Sequence, residues 1–391
     1  MLNAVYRNPT TIYFGKDVEG LVGEEVKKHS QKILLLYGSA SFKTHGLHAK
    51  IVQSLQKAGV TFVECGGVKT NPEASIVYQG IELCRREGLD FILSVGGGSV
   101  IDAGKAIALG VPYEGDFFDF FTKQATPQKS LPLGVVLTLF GAGSESSDGA
   151  VITHPPCRIK TDCSTPLLYP RFAFLNPELT RTAPVYTVRC GISDALSHLF
   201  ERYFTQTSFV DCTDRIGEGL MRTLMHYGRL IGTEADSYDV RAELMWACKL
   251  AHDNTAGFGR KHDWACHRIS HEIGARYEAA HGAILAVLFP AWMEYVYPNH
   301  ETRFLQFARR VFDIDTETTE KKLAIPQALE TYRHFLQAIG MPSTLRELGL
   351  TDKAELEDIA RHCTATMQSG TLGNFVRLSN PDIVKLLTTA F

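Results

Sequence analysis

DFILSVGGGSVIDAGKAIALG (residues 90–110) begins as an apolar, β-rich run, breaks on three glycines and continues with helical periodicity. A strand, a glycine turn and a helix N-terminus form a cradle for an anion. The glycines let the backbone approach closely, the first N–H groups of the helix point outward, and the helix dipole favours negative charge. The plain alternative is a tight turn with no ligand. The spacing is neither G-x-G-x-x-G nor a phosphate loop of the Walker type, because Lys105 lies too far downstream. Four more short apolar runs share this strand's texture: KILLLYG (32–38), TFVEC (61–65), LGVVLTL (133–139) and RFAFLNP (171–177). Between them, 42–59, 75–88 and 99–110 carry helical periodicity. Near-continuous apolar strands alternating with helices predict a parallel sheet covered on both faces.

After Pro184 the texture changes to long amphipathic helical segments, such as 208–230, 238–256 and 301–312, without strand signals. The expected organisation is therefore an α/β domain over residues 1–185 and an all-helical domain over 186–391. A chain of 391 residues with 45% hydrophobic and 21% charged residues can fill two such cores. The formal net charge of −3 gives no basic excess for nucleic acid or an anionic membrane. Nine dispersed cysteines without C-x-x-C spacing predict reduced thiols and a cytoplasmic location. The opening MLNAVYRNPTTIYFG has no apolar signal-peptide core. The longest apolar run, ILLLY at 33–37, is too short to span a bilayer.

Two further stretches strengthen the anion reading. YGSAS (37–41) ends the first long strand, and TLFGAGSES (138–146) follows another. Three Gly/Ser-rich loops after parallel strands point to a phosphate-bearing cofactor more than to three unrelated turns. In the second half, GISDALSHLFERYF (191–204) puts Asp194 and His198 four apart, on one face of a helix. DWACHRISHEIGARYEAAHGAILAVLFPAW (263–292) adds His267, His271 and His281. A lone histidine is more often a cap or a core imidazole, and His252, His262 and His300 take that reading. A buried aspartate among several imidazoles is costly unless a cation organises them, and mixed ligation of this kind suits Zn²⁺ or Fe²⁺. It also fits catalysis better than structure, since structural zinc usually takes cysteines.

From these blocks, with TIYFGKDV, GSES followed by AVIT, and FLNPELT, the chain resembles the iron-containing (group III) alcohol dehydrogenases, nearest to their NADPH-dependent aldehyde reductase and butanol dehydrogenase branch. The resemblance runs nearly end to end. It implies a dinucleotide-binding α/β domain followed by a helical metal-binding domain, the architecture shared with dehydroquinate synthase. The family's one aspartate and three histidines fall on Asp194, His198, His267 and His281. His271 matches a position beside the substrate and is the candidate for relaying the proton. Gly97, Gly98 and Ser99 match the pyrophosphate site. Thr138 and Ser144 match nucleotide contacts, Lys160 matches a lysine near the cofactor, and Asp102 is counted with them.

The implied reaction is reversible hydride transfer between NAD(P)H and an aldehyde or primary alcohol, with a divalent metal as Lewis acid. Members that prefer NAD often carry an aspartate after the first strand's glycine. Here Ser39 follows Gly38, with Ser41 and Lys43 nearby, so NADP(H) is expected over NAD(H). Relatives commonly pair through an N-terminal strand, so a homodimer through TIYFG (11–15) is expected, with that segment outside the main alternating unit. Departures from the family pattern are Ala142 before GSES, Asn176 for the usual aspartate, Cys190 for asparagine, and YGSAS for a more glycine-rich turn. The competing readings are a glycerol dehydrogenase-like polyol oxidoreductase and a catalytically silent nucleotide-binding protein.

Overall fold

The computed structural model describes residues 1–38, 41–317, 319–365, 367 and 369–391. Its strands are β1 (Thr11–Phe14), β2 (Lys32–Tyr37), β3 (Thr61–Cys65), β4 (Phe91–Gly96), β5 (Leu133–Leu137), β6 (Gly149–His154), β7 (Ile159–Ser164) and β8 (Phe172–Leu175). Six of them form one sheet in the order β1-β8-β5-β4-β2-β3, with every neighbouring pair parallel. The helices among them are α1 (Val22–Lys27), α2 (Ser41–Thr44), α3 (Leu47–Ala58), α4 (Ala74–Glu87), α5 (Gly98–Gly110) and α6 (Phe118–Phe121).

The parallel sheet follows from its side chains. Residues of β2 and β4 are buried almost throughout, and alternate residues serve opposite faces. Leu34, Leu36 and Ile92 pack with α4 and α5, while Ile33, Leu35, Phe91 and Leu93 pack with α1 and α3. The connection from β2 runs to β3 on one side, and β4 continues to β5 on the other. The strand order therefore reverses between β2 and β4, where parallel sheets open a crevice at their carboxyl ends.

Two expectations need correction, and one pair of strands was not anticipated. TIYFG does not stand outside the sheet: β1 pairs in parallel with β8 as its edge strand. The helical pattern over 42–59 is two helices, because Gly46 takes a left-handed φ of 79° that ends one and begins the next. The antiparallel pair β6 and β7 went unread. Its second strand, IKTDCS, is too polar to present an apolar run.

From Pro184 onward the described residues form helices α7 (Val185–Tyr203), α8 (Asp211–Gly228), α9 (Tyr238–His252), α10 (Ala265–Arg276), α11 (His281–Val296), α12 (Glu301–Phe312), α13 (Lys321–Ala338), α14 (Glu355–Ala365) and α15 (Asn380–Ala390). The chain packs as two compact units, Arg7–Pro184 and Met1–Tyr6 with Val185–Phe391. The first six residues thus belong with the helices rather than with the α/β unit. Leu2 N donates to Gly259 O at 2.7 Å, and Tyr6 Oη lies 3.0 Å from Thr255 Oγ1. No helix of the described residues is long and apolar enough to cross a membrane.

Candidate metal centre and cofactor loops

Within the helical unit, Asp194 and His198 lie one turn apart on α7, His267 lies in the first turn of α10, and His281 opens α11. Asp194 Oδ1 is 3.7 Å from His198 Nε2, 3.9 Å from His267 Nε2 and 3.7 Å from His281 Nε2. These separations are too long for hydrogen bonds. They suit ligands of one ion, since bonds of ~2.1 Å at tetrahedral angles set neighbouring ligand atoms roughly 3.4 Å apart. The ligand atoms of Asp194, His267 and His281 all lie within 4.8 Å of one another. His198 joins them from its own helix, its ring stacked 4.9 Å from that of His267. Burial and neighbouring imidazoles hold the His198 pKa well below its ordinary value. It stays neutral, as a metal-binding imidazole must.

Backbone packing explains the convergence. A Cβ on Gly282 would lie 1.9 Å from the carbonyl oxygen of Cys190, so α7 and α11 touch where only glycine fits. Ser193 Oγ donates to Gly282 O at 2.8 Å and fastens the contact. His281 is thereby carried to Asp194.

His267 is held from behind by Glu201, also on α7. The Glu201 carboxylate accepts from His267 Nδ1 at 2.8 Å, from His267 N at 3.0 Å and from Trp264 N at 2.5 Å. With Nδ1 donating, the lone pair is on Nε2, facing Asp194. Burial pushes the Glu201 carboxyl up to about 8, and the α10 donors pull it the other way. The sequence reading passed over Glu201. The signal was present, because 194, 198 and 201 follow the i, i+4, i+7 spacing of one helix face.

His271, buried in α10, stands beside this group, its ring 5.7 Å from that of His281. His252, read as incidental, packs its ring 4.1 Å from that of His198.

In the α/β unit, Gly97 precedes α5, and Gly98 and Ser99 form its first turn, so their N–H groups lack helical acceptors. A Cβ on Gly98 would lie 2.6 Å from Ala142 Cβ, and Thr138 N donates to Gly96 O at 3.1 Å. The loops after β4 and β5 therefore run side by side. Gly38 lies across from them at the end of β2, where an added Cβ would sit 3.4 Å from Val100 Cγ2.

Ser144 Oγ donates to Asp102 Oδ1 at 2.5 Å, and Val151 N donates to Asp102 Oδ2 at 3.0 Å. That pair ties the loop to α5. Lys160 Nζ donates to Asn71 Oδ1 at 2.8 Å. Ser39 and the side chain of Ser41 lie outside the described residues. The Lys43 ammonium is 2.8 Å from Glu64, which also accepts from Tyr37 Oη at 2.8 Å. Asn176 caps the turn after β8, accepting from Glu178 N and donating to Glu19.

Comparison with known proteins gives the lineage. The family profile described as Iron-containing alcohol dehydrogenase matches residues 9–177, and that of the Fe-containing alcohol dehydrogenase family, C-terminal, matches 187–391. The chain belongs to the iron-containing alcohol dehydrogenase family. This dehydrogenase is 36% identical over 388 residues, 99% of each chain, to the probable NADH-dependent butanol dehydrogenase 1 of Bacillus subtilis. It is 33% identical over 353 residues, 90% of each chain, to the NADPH-dependent aldehyde reductase YqhD of Escherichia coli. Its fold superposes on the crystal structure of NADH-dependent butanol dehydrogenase A from Thermotoga maritima with a TM-score of 0.95 at 36% identity, covering 100% and 99% of the two chains. The two-domain architecture and the enzyme class implied by the sequence are those of this family.

Proposed function

We propose that the dehydrogenase interconverts aldehydes and primary alcohols by moving a hydride to or from NAD(P)H at a divalent metal centre. The observation that carries this reading is the approach of three imidazole Nε2 atoms to one oxygen of Asp194. A divalent ion in this set, Fe²⁺ or Zn²⁺ by the chemistry of the donors, supplies Lewis-acid polarisation of the substrate oxygen. Asp194, His198, His267 and His281 hold that ion, and the Asp194 charge offsets part of its own. His271, next to the quartet, passes the proton to or from the substrate oxygen, directly or through water or a ribose hydroxyl. Gly97, Gly98 and Ser99 receive the pyrophosphate on the N–H groups of α5. Gly38, Ser39, Ser41, Thr138 and Lys160 are assigned to the nucleoside by the family pattern, and Asp102 acts through Ser144.

Among cofactors we favour NADPH. Position 39 carries a hydroxyl where a carboxylate would repel a 2′-phosphate. Lys43 adds little to that preference, because Glu64 engages its ammonium. A homodimer is favoured because, among the described residues, β1 is an edge strand of the sheet, beside β8. None of the nine cysteines forms a disulfide among the described residues, which supports a reducing, cytoplasmic setting.

The test is His267→Ala, with metal per chain measured by mass spectrometry beside aldehyde-dependent oxidation of NADPH. Loss of both is expected, with the helical circular dichroism kept. Full turnover with unchanged metal would remove His267 from the ligand set.

A further inference from the structure

We propose that Glu201 is the positioning residue of the metal centre, holding His267 in its ligating form and fixing the helix that carries it. The proposal rests on the metal reading above and extends it to a residue outside the quartet. Glu201 is buried and accepts hydrogen bonds from donors at the start of α10. Two tasks meet in that one carboxylate.

The first is a cap. The residue before α10 is Trp264, at a left-handed φ of 66° and with no side-chain oxygen. It cannot accept the N–H groups of its own helix, as a serine or aspartate in that place would. Glu201 does so from α7, taking the N–H groups of Trp264 and His267. Its oxygens also face the positive end of the α10 dipole.

The second is the tautomer of His267. The same Oε1 that accepts His267 N accepts Nδ1–H, so the ring is held in orientation with Nε2 directed at Asp194. A carboxylate behind a metal-binding imidazole fixes the ring and raises its basicity. Glu201 lies on the same helix as Asp194 and His198. One rigid element thus supplies two ligands directly and aims a third.

Glutamine is the informative replacement. Its size is nearly the same, but one oxygen becomes an NH₂ group. Whichever way the amide turns, a donor then faces a donor, either at Trp264 N or at the two His267 groups.

The experiment strips the full-length protein of metal and titrates it with Zn²⁺ against a chromophoric chelator, for wild type, Glu201→Gln and Glu201→Asp. NADPH binding is followed by fluorescence in each, and Co²⁺ replaces Zn²⁺ for visible spectra. We expect Glu201→Gln to bind Zn²⁺ about 10- to 100-fold more weakly. NADPH binding should be unmoved, and the Co²⁺ bands should shift. Glu201→Asp keeps the carboxyl group but falls short of α10, so its Zn²⁺ affinity should lie between the two. If the glutamine variant is not recovered folded, the aspartate variant decides on the same comparison.

Zn²⁺ affinity within about twofold of wild type, by the same affinity scale, would overturn the proposal. So would an equal loss of Zn²⁺ and NADPH binding, which marks general unfolding. If wild type itself takes up no stoichiometric Zn²⁺ or Co²⁺, the metal reading falls first. If wild type binds and the variants match it, only the role of Glu201 falls.

Discussion

Lys105 is engaged by the chain's own carbonyls. Its ammonium is buried and donates to Ser147 O and Gly149 O, both at 2.8 Å. Burial pulls its pKa down to about 8, and the Asp102 charge opposes that shift. One turn earlier on α5, Asp102 takes Ser144 Oγ and Val151 N. The helix that presents the glycine turn thereby also anchors the neighbouring loop. Lys105→Met keeps most of the volume but strands two carbonyls, and should cost ~2–4 kcal/mol in urea unfolding. Metal content should not change. At position 39 the expected effect is on choice rather than stability. Ser39→Asp should shift the NADPH-to-NADH ratio of kcat/KM by about tenfold or more towards NADH, since a charge-assisted hydrogen bond is worth ~1.5–3 kcal/mol. Both cofactors are to be measured with one aldehyde, and an unmoved ratio would discharge position 39 from the role.

At the scale of elements, the contact of α7 with α11 shapes the metal centre most directly. Gly282→Ala would push a methyl group into the Cys190 carbonyl, which is backbone and cannot rotate away. The helices must part, and the Ser193 to Gly282 hydrogen bond goes with them. Overpacking of this kind costs ~1–3 kcal/mol or more. We expect a lower melting temperature and, beyond that, a loss of bound metal, because His281 moves off with α11. Metal per folded chain equal to wild type would show that α11 can shift without carrying its histidine away.

This contact marks the limit of what the sequence discloses. Ligand residue types and their helical spacing are local, and local patterns are legible: buried strands as apolar runs, Asp194 and His198 as one face. That His267 and His281 reach the same point depends on how three helices pack, and no spacing encodes it. The resemblance supplied that step. β6 and β7 were missed for the reverse reason, because their half-polar faces blur the period. Glu201 was legible as a third member of the 194 and 198 face, but a glutamate on a helix is ordinarily solvated, so the spacing carried little weight.

Across the whole molecule, the two compact units are not two consecutive lengths of chain. Residues 1–6 pack with the helices, through Leu2 against Gly259 and Tyr6 against Thr255 and Phe258. Relatives matching almost end to end invite hybrid enzymes that take cofactor choice from one parent and substrate range from the other. A single crossover after Pro184 would give such a hybrid helices from one parent and their six-residue N-terminal strap from another. Two crossovers, after Tyr6 and after Pro184, keep those contacts native to one parent. Hybrids of the second kind should melt at higher temperature than their single-crossover counterparts. Recombination would then respect a boundary that the chain crosses twice.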